Sequence, residues 1–173
     1  MDIPSNIKLI ICDFDGTLVQ LNVDWSAIRN RLNWIMETED FENLDKGLRR
    51  LRAVDEDGFH KVCNDIAGEE IAGFSGVNKE LIDEVRKYPH FAIFTSNTRR
   101  AVSELMRKNK DFRGLTPFIV AKEDVRRGKP SHEGLNLILW WFECERKDAV
   151  FIGNSEEDRE AGRRAGIHTI ILD

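Results

Sequence analysis

The sequence predicts an α/β fold: a parallel sheet with helices on both faces, interrupted near its start by an all-helical insertion. Three observations carry this. Short apolar runs, most of them rich in β-branched residues, recur at Ile7–Cys12, Phe91–Phe94, Pro117–Ala121, Ala149–Ile152 and His168–Leu172. Helical patterns lie between most of them. Residues 18–75 break that rhythm and are nearly devoid of strand-like runs.

Taken in order, Ile7–Cys12 reads as a buried strand, and it runs directly into Asp13-Phe14-Asp15-Gly16-Thr17. In the insertion, Trp25, Ile28, Leu32 and Ile35, and then Leu44, Leu48 and Leu51, recur every three or four residues, as one face of a helix requires. Ala72-Gly73-Phe74-Ser75-Gly76 has the glycine content of a hinge or re-entry loop. Val77–Lys87 reads as a helix feeding the strand Phe91–Phe94. Thr98–Lys108 follows Asn97, a candidate N-cap, and Ser131 can cap a helix running through Arg146. Glu156–Ala165 ends at Gly166, a suitable C′ residue. On this pattern residues 1–17 and 77–173 form a discontinuous core, and 18–76 an inserted helical cap.

At 173 residues the chain can bury roughly 70% of its unfolded surface without a metal or disulfide staple. Hydrophobic residues at 41% and charged residues at 33% argue against disorder. No apolar stretch approaches the ~20 residues of a membrane span; the longest, Leu135–Phe142, is broken by Asn136. The opening Met-Asp-Ile-Pro-Ser-Asn lacks the basic start of a signal peptide. Cys12, Cys63 and Cys144 are odd in number and widely spaced, which disfavours a disulfide framework or CxxC metal site and points to a reducing cytoplasm.

The charge of −5 is unevenly spread: residues 1–85 carry net −9, 86–130 net +8 and 131–173 net −4. The positive middle suits an anionic ligand, and equally a set of solvated helix faces. Its basic residues are too sparse and too interspersed with acids for a nucleic-acid surface. No Gly-x-Gly-x-x-Gly follows the first strand, which disfavours dinucleotide binding. Trp140-Trp141-Phe142 cannot all face one side of a helix. Packing against the sheet is the expected fate of that cluster, with one Trp partly exposed as a candidate dimer contact, so the chain is expected to be a monomer or homodimer.

Four features fall at the C-terminal ends of successive strands, where open α/β sheets bind ligands. Asp13 and Asp15 stand two residues apart past a buried strand, and two like charges there call for a compensating cation such as Mg²⁺. Asp-Gly also suits a turn. Thr95-Ser96-Asn97 offers a hydroxyl and backbone N–H groups for an anion, or simply a helix N-cap. Lys129 is held just before a helix by Pro130, though a lone lysine is more commonly a surface residue. Gly153-Asn154-Ser155-Glu156-Glu157-Asp158 brings amide and acid oxygens, although Glu156 and Glu157 also suit a helix dipole.

The order of these features resembles the haloacid dehalogenase (HAD) superfamily. Asp13-Phe14-Asp15-Gly16-Thr17-Leu18 is similar to its first motif, Phe91–Thr95 to its second, Lys129-Pro130 to its third, and Phe151–Asp158, continuing to Ile167, to its fourth. The helical segment resembles the cap of the phosphoglycolate-phosphatase-like branch. The resemblance implies a Rossmann-like core and magnesium-dependent hydrolysis of a small phosphorylated metabolite. It makes Asp13 the nucleophile that becomes an aspartyl-phosphate and Asp15 the general acid and base. Thr95, Ser96 and Lys129 bind the phosphoryl group, and Asp13, the Asp15 backbone carbonyl, Asn154 and Asp158 are the implied metal ligands. A phosphate beside a carboxylate is repelled by about 4 kcal/mol for unit charges ~4 Å apart at an effective dielectric of 20, so cations are needed at the site. Halide leaves without a proton, so Asp15 favours phosphoryl transfer over dehalogenation; a phosphomutase uses the same two acids. The family's fourth motif usually has Asp where this chain has Asn154, an uncharged ligand. A metabolite-binding or regulatory protein with weakened catalysis is the alternative from another class. Arg49, Arg50 and Arg52 in the cap could read a second anionic group.

Overall fold

The computed structural model describes residues 3–39, 41 and 43–172; Met1 and Asp2 of the opening, and Asp40, Glu42 and Asp173, lie outside the described residues. Five strands form one parallel sheet: β1 (Leu9–Cys12), β4 (His90–Phe94), β5 (Phe118–Val120), β6 (Ala149–Gly153) and β7 (His168–Ile171), in the order β5-β4-β1-β6-β7. Every residue of β1 is fully buried, because helices cover both faces of the sheet. Its alternation divides the core: Ile10 and Cys12 join the layer with α4 (Lys79–Val85) and α5 (Arg99–Lys108), while Leu9 and Ile11 join the layer with α6 (Glu133–Trp141) and α7 (Glu156–Ala165). The α/β, Rossmann-like fold read from the sequence is thus the fold of the chain.

Residues 18–76 contain, among the described residues, the α-helices α1 (Trp25–Ile35), α2 (Leu44–Val54) and α3 (Glu56–Ala72). Ile28, Leu32, Leu48 and Leu51, on positions the helical spacing picked out, join Phe59 and Ile66 of α3 in a core of their own, whereas Ile35, on the same pattern, is exposed. The ends of this segment are not helical. β2 (Val19–Leu21) and β3 (Phe74–Val77) pair antiparallel, and Leu18, Val19 and Leu21 pack into the sheet's core layer. The glycine-rich Ala72–Gly76 stretch is therefore largely a strand.

Helix boundaries differ locally from expectation. Thr98, not Asn97, is the N-cap of α5, accepting from the Ala101 N–H. His132 occupies the cap of α6, which stops at Trp141, while the Ser131 hydroxyl accepts from the Glu133 N–H. Trp140 and Trp141 are 72% and 57% exposed. Leu135, Ile138 and Leu139 already occupy the sheet-facing stripe of α6, so the tryptophans are turned outward, with Trp141 stacked on Phe118 of the edge strand. A groove of about 860 Å³ beside them lies near Arg146 and Lys147, at the opposite end of β6 from the motif residues. Among the described residues no helix is long and apolar enough to cross a membrane.

Candidate active site

The site follows from register. β1 lies between β4 and β6, with Cys12 opposite Ile93 on one side and Ile152 on the other. Asp13 is the first residue beyond β1, Thr95 the first beyond β4 and Asn154 the first beyond β6. Neighbouring strands lie about 4.8 Å apart, so three separate motifs end side by side at the point where the chain changes direction across the sheet.

Past Asp13 the chain turns sharply. The Phe14 carbonyl accepts from the N–H groups of Thr17, Leu18 and Val19, and Phe14 itself is fully buried. Gly16 has φ +72, and a Cβ there would lie 2.0 Å from Asn154 Nδ2. Glycine is thus required both for the turn and for the fourth motif to close over the first. The turn delivers Asp15 to β2, where Leu21 N–H donates to its Oδ1 at 2.9 Å. The β2–β3 ribbon, invisible in the sequence pattern, therefore helps to hold the second acid.

Lys129, from the loop before α6 and followed by a cis bond to Pro130, is buried between two carboxylates. Its Nζ lies 2.8 Å from Asp13 Oδ2 and donates to Asp158 Oδ1 at 2.6 Å. Burial opposes the ammonium charge, but Asp13 and Asp158 outweigh it and hold the Lys129 pKa above its ordinary value. Burial raises Asp13 above the usual carboxylate range despite Lys129 and the 2.6 Å bond from Phe14 N–H. Asp15 is also raised, chiefly by burial. Burial works to raise Asp158 too, yet Lys129 and the Ser155 donors prevail and lower it.

Asp158 is turned away from the role of ligand. Its Oδ2 accepts from Asn154 N–H, Ser155 N–H and Ser155 Oγ, its Oδ1 takes Lys129, and none of its surface is exposed. Gly153 makes room for it, since a Cβ there would lie 2.5 Å from the carboxyl carbon. Asp158 thus stands behind Lys129 and fixes it, while Asp13, Asp15, Thr95, Ser96, Lys129 and Asn154 all line one cleft of about 560 Å³. Trp25, Arg29 and Asp45 line it from the helical side. Of Arg49, Arg50 and Arg52, the last is engaged in structure: it donates to the Glu123 and Val125 carbonyls and lies over the Phe59 ring. Arg49 borders a small adjoining pocket with Thr95 and Lys122.

Among the described residues no three His, Cys, Asp or Glu side chains form a ready-made metal cage. That donor set still suits Mg²⁺, which takes hard oxygens, needs only one or two carboxylates, and fills its remaining positions with water and substrate phosphate. The Asp13 carboxylate and Asn154 amide are such oxygens on the cleft wall. Sequence reasoning missed Glu70, a fully buried acid of α3 whose carboxylate takes the Asn97 side chain and Thr98. No motif marks it.

A parallel α/β sheet with paired acids, a buried lysine and a hydroxyl at its switch point forms a site suited to an anionic group. The haloacid dehalogenase-like hydrolase family matches residues 41–172, and the chain belongs to that family. Solved structures agree in fold. CbbY from Rhodobacter sphaeroides in complex with phosphate is 20% identical with a TM-score of 0.68, over 95% of this chain and 85% of that one. A protein described as a phosphoglycolate phosphatase from Lactobacillus plantarum is 16% identical with a TM-score of 0.66, over 94% and 84%. A HAD-superfamily hydrolase, subfamily IA, from Geobacter sulfurreducens is 19% identical with a TM-score of 0.61, over 96% and 87%. No curated protein matches the chain.

Proposed function

We propose that the protein is a magnesium-dependent phosphatase of a small phosphorylated metabolite, working through an aspartyl-phosphate on Asp13. The observation that carries this reading is the Asp13 carboxylate, one residue past the central strand, paired with buried Lys129 and facing the cleft that Asp15 shares. In the first step an Asp13 oxygen bonds to phosphorus as the bond to the leaving oxygen breaks, and Asp15 gives that oxygen its proton. In the second, Asp15 takes a proton from water as the water oxygen bonds to phosphorus. The bond to Asp13 breaks and phosphate departs. Lys129 holds the phosphoryl oxygens, with Ser96 beside it, and the Thr95 hydroxyl, whose one proton goes to Asn97 Oδ1 in the free protein, turns that proton to a phosphoryl oxygen when the substrate binds. Bound Mg²⁺, held by the Asp13 carboxylate, the Asp15 backbone carbonyl and the Asn154 amide oxygen, supplies positive charge against the phosphate. Residues 18–76 act as the cap over a core of 1–17 and 77–173, excluding bulk water. The expected setting is cytoplasmic, as a monomer or homodimer.

The raised Asp15 pKa keeps its proton available to a higher pH than a free carboxyl would. Asp15→Asn should therefore cost more on an alkyl phosphate, whose alkoxide needs a proton, than on p-nitrophenyl phosphate, whose phenolate leaves unaided. Steady-state rates on the two esters check this; equal losses would remove Asp15 as the acid. Asn154→Asp adds a charge beside Gly16 and should lower the magnesium concentration for half-maximal rate about tenfold, read from phosphate release against Mg²⁺. An unchanged magnesium curve would take Asn154 out of the ligand set. Release of phosphate from p-nitrophenyl phosphate that stops with chelator is the test of the function itself. Phosphate binding without turnover would instead favour the metabolite-binding alternative.

A further inference from the structure

Glu70 lies in the last turns of the 17-residue helix α3, within the insertion, yet its bonds go to the core loop after β4. Its Oε1 accepts from Asn97 Nδ2 at 2.9 Å, and its Oε2 accepts from Thr98 N–H at 3.1 Å and from Thr98 Oγ1. Three donors converge on one carboxylate that is wholly removed from solvent.

The consequence reaches the cleft. An ionised carboxylate only accepts, so Asn97 must turn its amino group toward Glu70 and its carbonyl oxygen the other way. That oxygen accepts from Thr95 Oγ1 at 2.7 Å, and Asn97 N–H donates back to Thr95 Oγ1 at 3.1 Å. One chain of bonds therefore runs from the insertion through Asn97 to the hydroxyl at the end of β4. Thr95 and Asn97 are 2% and 4% exposed, so water cannot readily substitute for a missing partner.

We propose that Glu70 is a positioning residue: it fixes the orientation of the Asn97 amide, and through it sets the Thr95 hydroxyl at the phosphoryl site. The inference rests on the proposed phosphatase reading only for its kinetic consequence. Glu70→Gln keeps the size but offers one acceptor and one amino group to three donors. If the Gln amino group faces Asn97, that amide must flip and present its own amino group to Thr95 Oγ1; if it faces Thr98, the Thr98 donors lose their acceptor and the loop shifts. A misplacement of about 1 Å can slow catalysis by as much as ~10²-fold.

The expected result for Glu70→Gln is a folded protein whose kcat on p-nitrophenyl phosphate falls about tenfold, with a smaller change in KM. In a Thr95→Val background the same substitution should change kcat less than about twofold, because the group it acts through is gone. A kcat that is unchanged or raised in the wild-type background, or an equal loss in both backgrounds, would overturn the proposal. Nuclear magnetic resonance supplies a readout independent of turnover. The Asn97 side-chain amide and the shielded Thr95 hydroxyl proton should shift in Glu70→Gln, and resonances that stay in place would overturn the proposal whatever the protein hydrolyses. If wild type releases no phosphate, the function falls while these resonances still decide the role of Glu70 in setting Thr95. If wild type is active and Asp13→Asn is dead while Glu70→Gln is indistinguishable from wild type, only the Glu70 inference falls.

Discussion

Asp13→Asn is expected to yield a folded protein that has lost at least ~10³-fold of its phosphate release. The fold survives because most of its contacts do, although asparagine cannot replace the second oxygen that meets Lys129. An asparagine oxygen can still accept from Phe14 N–H, and Lys129 keeps Asp158 as its counter-ion. Burial already disfavours charge on Asp13, so neutralising that side chain relieves part of a desolvation cost. The chemistry does not survive, since an amide oxygen is a poor nucleophile and the acid beside it has nothing to assist. Near-wild-type turnover with an unaltered circular dichroism spectrum would move the nucleophile elsewhere.

The second large effect is on Lys129→Met. Here both stability and activity should fall, for one reason. Lys129 is the cation lying between Asp13 and Asp158, and its side chain is 4% exposed. Removing it leaves two buried carboxylates without their counter-ion, at a cost of about 3–5 kcal/mol in urea unfolding. Adding Asp158→Asn should recover part of that stability, because one of the orphaned charges is gone. It should recover no activity, because the cation facing the phosphoryl group is still absent. A Lys129→Met protein as stable as wild type would mean that the buried triad is not held by its charge.

What the sequence reveals of this site is its order. Asp13, Thr95 and Asn154 each follow an apolar run and Lys129 precedes a proline, and a parallel sheet must bring strand ends together on one edge. Direction is harder to read. Asp158 is an acid in the first turn of a helix, and nothing in Glu-Glu-Asp tells which carboxylate points inward; Gly153 is what opens the space. The β2–β3 ribbon escaped because Val-Gln-Leu is only three residues long and Phe-Ser-Gly-Val includes a glycine, too weak a pattern to outweigh the helical periodicity between them. Glu70 escaped because its partners are 27 and 28 residues away and its helix carries other acids of no special standing. The tryptophans of α6 defied expectation once smaller side chains had filled the face over the sheet.

The most direct measurement is a rapid acid quench of wild-type protein during turnover, followed by peptide mapping in a mass spectrometer. The account predicts a phosphoryl group on the peptide bearing Asp13, absent from Asp13→Asn. Steady hydrolysis with no such adduct, and inversion of configuration at a chiral phosphorus, would contradict it.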